Sequence, residues 1–99
     1  MENNELKLNK LKISSFCKRH HIIFLALFGS ILTSHFSTAS DVDILVKFEK
    51  DNFPNLFDLV DMESELSSIV GRQVDLKTPN DLSPYFREEV LSSAKIIYG

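Results

Sequence analysis

The chain has 99 residues, 43% of them apolar and 25% charged, with a net charge of −3. That length accommodates one domain with a limited core, so we expect a single unit over residues 1–99 that leans on a partner or an oligomer; the balance excludes a disordered chain and offers no general attraction to nucleic acid. The lone Cys17 excludes an intramolecular disulfide and suits a reducing, cytoplasmic setting, and the longest apolar run, the seven residues Ile22–Phe28, falls far short of the roughly 20 that a bilayer span requires.

From about Asn4 to Lys18 the residues Leu8, Leu11, Ser15 and Phe16 recur near helical spacing, with Leu6, Ile13 and Cys17 widening the stripe, which predicts a first helix. Lys18-Arg19-His20-His21 reads as its solvated end. Ile22–Phe28 is a buried strand stopped by Gly29. Ser30 to His35 is a candidate short helix, and Ser37-Thr38-Ala39-Ser40 a loop of small polar residues. Asp41–Glu49 alternates strictly: Val42, Ile44, Val46 and Phe48 point one way, while Asp41, Asp43, Lys47 and Glu49 point the other with Leu45. Asn55–Val70 is an amphipathic helix, with Leu56, Leu59, Val60, Met62, Leu66, Ile69 and Val70 on one side and Gly71 as its stop. Arg72–Lys77 is a short strand with Val74 and Leu76 inward, and Thr78-Pro79-Asn80 a turn. Ser83 caps a last helix with Pro84 in its first turn and Phe86, Val90, Leu91, Ala94 and Ile97 inward. The class is α+β: a small mixed β-sheet with helices packed on one face, the other left open for chemistry.

Two residues apart on a strand, Asp41 and Asp43 share a face, with Cα atoms roughly 6.6 Å apart at ~3.3 Å per residue. Two carboxylates at that spacing converge on one hard cation or bridge two. An Asp-Val-Asp on the wet side of a strand is commonplace, so its weight comes from what accompanies it. Gly29-Ser30 ends an apolar strand and offers unpaired N–H groups and a hydroxyl to a phosphate, the glycine allowing close backbone approach. Asp75, flanked by the inward-facing Val74 and Leu76, projects from the same polar side if its strand lies beside Asp41–Glu49. Three aspartates on one face repel one another unless a cation neutralises them.

Leu27-Phe28-Gly29-Ser30, ten residues, Ser40-Asp41-Val42-Asp43-Ile44-Leu45-Val46, then Gly71-Arg72-Gln73-Val74-Asp75-Leu76 resembles the DNA polymerase beta-like nucleotidyltransferases. It is most similar to their minimal (MNT) branch, the antitoxins paired with HEPN-domain toxins. The resemblance implies the nucleotidyltransferase fold, with Asp41, Asp43 and Asp75 as catalytic and metal-binding carboxylates holding two Mg²⁺ ions and Asp75 helping to deprotonate the attacking hydroxyl. It implies Gly29 and Ser30 on the phosphates of ATP, with Ser40 beside them. In that branch AMP passes to a tyrosine of the HEPN RNase toxin and silences it. One departure stands out: where the family often carries an arginine-rich stretch after Gly-Ser, this chain has Ile31-Leu32-Thr33-Ser34. Thr33, Ser34 and Lys47, the last on the same face as Asp43, are the candidates to balance phosphate charge in its place.

Two other readings compete with the toxin-directed transferase. One is a catalytically weak or inactive transferase fold that neutralises its partner by binding alone. The other is a transferase acting on a small molecule or an RNA end, against which the absence of a second domain and the acidic net charge both weigh.

Overall fold

A computed structural model of the chain describes residues 8–29 and 41–99. The predicted elements at Ser30–His35 and Ser37–Ser40, and the start of the first helix at Asn4–Lys7, lie outside the described residues. In chain order the elements are α1 (Lys10–Arg19), β1 (Ile22–Phe28), β2 (Val42–Phe48), α2 (Leu56–Val70), β3 (Val74–Lys77), a 3₁₀ turn (Pro79–Asp81), α3 (Pro84–Ser93) and β4 (Lys95–Tyr98).

Local chemistry sets most of the boundaries. Asn9 caps α1, its side-chain oxygen accepting from Lys12 N–H at 3.0 Å, so the described helix begins later than the apolar stripe suggests, and Leu11 faces solvent at 83% exposure. Asn55 caps α2 in the same way, accepting from Asp58 N–H at 2.8 Å. Gly71 ends that helix in the left-handed conformation, φ 83°, where a side chain is strained. Ser83 accepts from Tyr85 N–H with Pro84 in the first turn of α3, as expected from Ser-Pro.

The sheet is mixed, in the order β3-β2-β1-β4. β1 runs antiparallel to β2, β2 parallel to β3, and β4 antiparallel to β1. The α1 and α2 helices cover one face: Ile13, Phe16 and Cys17 from α1 and Met62, Leu66 and Val70 from α2 meet Leu25 and Leu27 of β1, Val42, Ile44 and Val46 of β2, and Val74 and Leu76 of β3 in a single buried cluster. Alternation therefore reads the inward set of β2 correctly. Burial pushes the Cys17 thiol up to about 12, which leaves it an inert core residue.

The β3 edge is closed by α2. Val74 N–H donates to Ser67 Oγ at 2.9 Å and Leu76 N–H donates to Glu63 Oε2 at 2.8 Å. Backbone groups that an edge strand would leave unpaired are thus satisfied by helix side chains. These two bonds bracket Asp75 and hold its strand in place.

Four expectations are corrected. The last helix stops at Ser93, and Ile97, expected on its inner face, belongs to β4, which completes the free edge of β1; Ile97 and Tyr98 pack on the core from there. No residue of α3 is buried; Phe86 is 60% exposed and Leu91 36%. On α2, Leu56 and Val60 face solvent at 73% and 55%, because the helix turns the Met62–Leu66–Val70 line, flanked by Leu59 and Ile69, onto the sheet. The open face is also not uniformly wet, since Leu45 and its cross-strand partner Ala26 are fully buried.

The α1–α2 contact carries a small polar clamp. Arg19 and His20, at the end of α1, both bond Glu65 of α2, and His20 Nε2 lies 2.9 Å from Glu65 Oε1 with its ring 4.7 Å from that of Phe16. The Arg19 hydrogen bond first, and His20 after it, hold the Glu65 carboxyl below its ordinary value. A depressed acid stabilises the fold above the ordinary carboxylate range and loses that contribution as pH falls through the depressed value. Glu65→Gln is expected to cost about 0.2–1 kcal/mol at pH 7 for so solvent-screened a pair, and the difference from wild type should close in urea melts run at progressively lower pH.

Candidate active site

Alternation and register bring the aspartates together. Asp43 points to the face away from the helices, because its neighbours Val42 and Ile44 are fully buried on the other. The parallel pairing of β2 with β3 sets Asp43 opposite Asp75, within a register that also pairs Val42 with Val74 and Leu45 with Lys77. Asp41 stands exposed just before β2, two residues back on the same side.

Gly29 is pressed against this cluster. It follows Phe28, the cross-strand partner of Asp43, and has φ +78°. A Cβ built on it would collide with Asp43 Oδ2 and approach Cγ within 3.2 Å. The glycine is needed both for its backbone conformation and for the room it leaves the carboxylate. This contact gives Gly29 a physical role at the site beyond the spacing that singled it out.

The electrostatics follow. The Asp43 carboxyl is pushed above its usual range by burial first, then by the charge of Asp75, with Asp41 adding to the rise and Lys77 opposing it. Anionic neighbours and partial burial make the fully ionised cluster costly without a cation. Among the described residues no group of three or more His, Cys, Asp or Glu side chains converges into a ready-made ion cage. The opposed carboxylates of Asp43 and Asp75 are donors that fit magnesium, which prefers one or two protein carboxylates and completes its shell with water and phosphate oxygens.

The structure adds Lys77 to the site. Its Nζ lies 3.5 Å from Asp75 Oδ2, so it is the ammonium beside the carboxylates. Its place two residues after Asp75, on the same strand face, was the available signal. Lys47 does share the face of Asp43, but its Nζ sits 4.8 Å over the Phe24 ring, and four strand residues, roughly 13 Å, separate it from Asp43. Ser30, Thr33 and Ser40 lie outside the described residues. Glu63 and Ser67, which hold β3, have no signal in a single sequence because only the packing of α2 gives them partners.

A glycine turn against one of two opposed strand aspartates, with a third before them, on the face of a small mixed sheet turned away from α1 and α2 is the arrangement of a nucleotidyltransferase. The chain matches the family described as Polymerase beta, Nucleotidyltransferase over residues 11–99. It belongs to that family. It is 33% identical over 94 residues to MJ0435 of Methanocaldococcus jannaschii, provisionally named a protein adenylyltransferase, covering 95% of this chain and 96% of that protein. It is 34% identical over 67 residues to the protein adenylyltransferase MntA of Thermococcus cleftensis, covering 68% and 66% of the two chains. Among solved structures it superposes on a toxin–antitoxin complex with AMP-PNP, with a TM-score of 0.71 at 26% identity over 93% of this chain and 74% of that one.

No helix among the described residues is long and apolar enough to cross a membrane.

Proposed function

We propose that this chain is an antitoxin that transfers AMP from ATP to a tyrosine of a HEPN-type toxin. The observation that carries the reading is the pairing of Asp43 with Asp75 across β2 and β3, with Gly29 set against the Asp43 carboxylate. Relatives named as protein adenylyltransferases and the likeness to a toxin–antitoxin complex with AMP-PNP support it.

Asp41, Asp43 and Asp75 would hold the magnesium, which when bound supplies a nucleophile of lowered pKa and stabilises the leaving pyrophosphate. Gly29 would let the phosphates approach the backbone closely, and Ser30, Thr33 and Ser40 are the residues we assign to the phosphates with it. Asp75 accepts the proton of the attacking hydroxyl as its oxygen bonds the α-phosphorus and the bond to pyrophosphate breaks. The Lys77 ammonium, 3.5 Å from Asp75 Oδ2, offsets part of the negative charge gathered there and orients that carboxylate. The toxin RNase is silenced by the attached AMP, in the cytoplasm.

Incubation with labelled ATP, Mg²⁺ and the HEPN partner should label the partner, and the Asp41→Ala/Asp43→Ala double variant should leave it unlabelled. Equal labelling by both proteins would exclude catalysis at this site. If neither protein labels the partner and both still protect cells from the toxin, neutralisation by binding is the function.

A further inference from the structure

Helix α2 is apolar on two sides. Its inner line, Met62, Leu66 and Val70, is consumed by the core. On the outside, Leu56, Phe57 and Val60 are 73%, 82% and 55% exposed, and Phe53 just before the helix is 73% exposed. Phe57 and Val60 stand one helical turn apart, and Leu56 shares their face, so with Phe53 they form one contiguous patch rather than scattered residues. A patch of large apolar side chains at the start of a helix is the kind of surface that a partner covers.

The charges around it specify the partner. Every charged residue of α2 is acidic: Asp58, Asp61, Glu63 and Glu65. Glu63 is committed to Leu76 N–H and Glu65 to Arg19 and His20. Asp51, Asp58 and Asp61 line a depression that also holds Arg19, His20 and His21; Arg19 and His20 are engaged by Glu65 and His21 by Glu49, so the three carboxylates form no ion pair among the described residues. Two copies of this face would bring carboxylates against carboxylates, and an anionic membrane would be repelled in the same way.

We propose that the outer face of α2, with Phe53, docks a helix of the partner protein that carries an apolar stripe flanked by lysine or arginine. Such a contact is a helix laid on a helix, with the apolar anchors central and the charges at the rim. The face lies beyond the end of β2 at Phe48, whereas Asp41, Asp43 and Gly29 sit at its start, about 20 Å away along the strand. Docking and chemistry thus use opposite ends of the sheet, and the partner is held by one surface while its acceptor group reaches the other. The partner being a protein rests on the adenylylation reading above.

The test uses two synthetic 18-residue helical peptides, one with a leucine stripe flanked by lysines and the other with glutamates in their place, titrated onto the full chain by fluorescence anisotropy. The lysine peptide should bind and the glutamate peptide should not. Phe57→Ser/Val60→Ser and Asp58→Asn/Asp61→Asn should each weaken binding at least tenfold, and Tyr85→Ser should leave it unchanged; circular dichroism verifies that each variant is folded. The salt dependence of binding should disappear in Asp58→Asn/Asp61→Asn. Equal affinity in all variants overturns the proposal, as does a wild-type dimer in sedimentation that Phe57→Ser/Val60→Ser abolishes. Peptide binding without any AMP transfer would remove the adenylylation reading and leave the docking face standing; transfer to the toxin by Phe57→Ser/Val60→Ser at the wild-type rate and KM would do the reverse.

Discussion

Asp43→Asn is expected to make the protein more stable and to end its chemistry. In wild type the folded state raises the Asp43 pKa above its ordinary 3.8, through burial, then Asp75, with Asp41 adding and Lys77 opposing. The folded protein therefore holds that proton more tightly than the unfolded chain, so ionised Asp43 subtracts from stability at neutral pH. Amidation removes the charge and keeps the shape. In magnesium-free buffer at pH 7 the variant should melt above the wild type. That advantage should shrink as pH falls through the raised value and vanish below the ordinary 3.8, where the wild-type carboxyl is protonated in both states. Transfer should drop at least a hundredfold, since metal stabilisation is worth several kcal/mol and each 1.36 kcal/mol is a factor of ten. Thermal melts across pH, paired with the labelled-ATP assay, read both effects; a variant that melts below wild type at pH 7 would show that Asp43 is not under electrostatic strain.

Gly29→Ala is the second large effect, and its control is built into the same fold. At φ +78° an alanine costs about 1–2 kcal/mol in the left-handed region, which for a domain of this size lowers Tm by about 4–8 °C per kcal/mol. Its methyl group would also land on the Asp43 carboxylate, so Asp43 must move. A shift of about 1 Å at a reacting centre costs on the order of a hundredfold in rate. Gly71 has nearly the same backbone, φ +83°, with nothing within 4 Å of a built Cβ. Gly71→Ala should thus lose comparable stability and keep its transfer rate. If the two variants lose activity equally, the Gly29–Asp43 contact has no catalytic role.

How far the sequence carried differs from element to element. β1 has the expected bounds, Ile22–Phe28, and β2 lies within the expected Asp41–Glu49. A continuous apolar run and a strict alternation are local signals that need no partner to be read. Helix α2 was legible for the same reason, but which of its apolar residues would be inside was not. Periodicity marks a broad stripe, and only the line of contact with β2 and β3 decides that Met62 and Leu66 are buried while Leu56 and Val60 are left outside. β4 is the clearest failure. Lys95-Ile96-Ile97-Tyr98 is four residues long and continues the helical spacing of α3, so nothing local separates it from that helix; the free edge of β1 does.

The site divides in the same way. Strand alternation by itself placed Asp41, Asp43 and Asp75 on the polar sides of their strands, and the spacing of Gly29-Ser30 from Asp41 pointed to nucleotide chemistry. These are properties of neighbouring residues, and the chain carries them before it folds. Only tertiary structure set Asp43 opposite Asp75, pressed Gly29 onto the Asp43 carboxylate, put Lys77 rather than Lys47 beside the acids, and gave Glu63 and Ser67 the task of holding β3. Each of those depends on strand register or on which helix covers which edge. Register joins residues far apart in the chain, and a slip by one residue would turn every side chain of a strand to the opposite face.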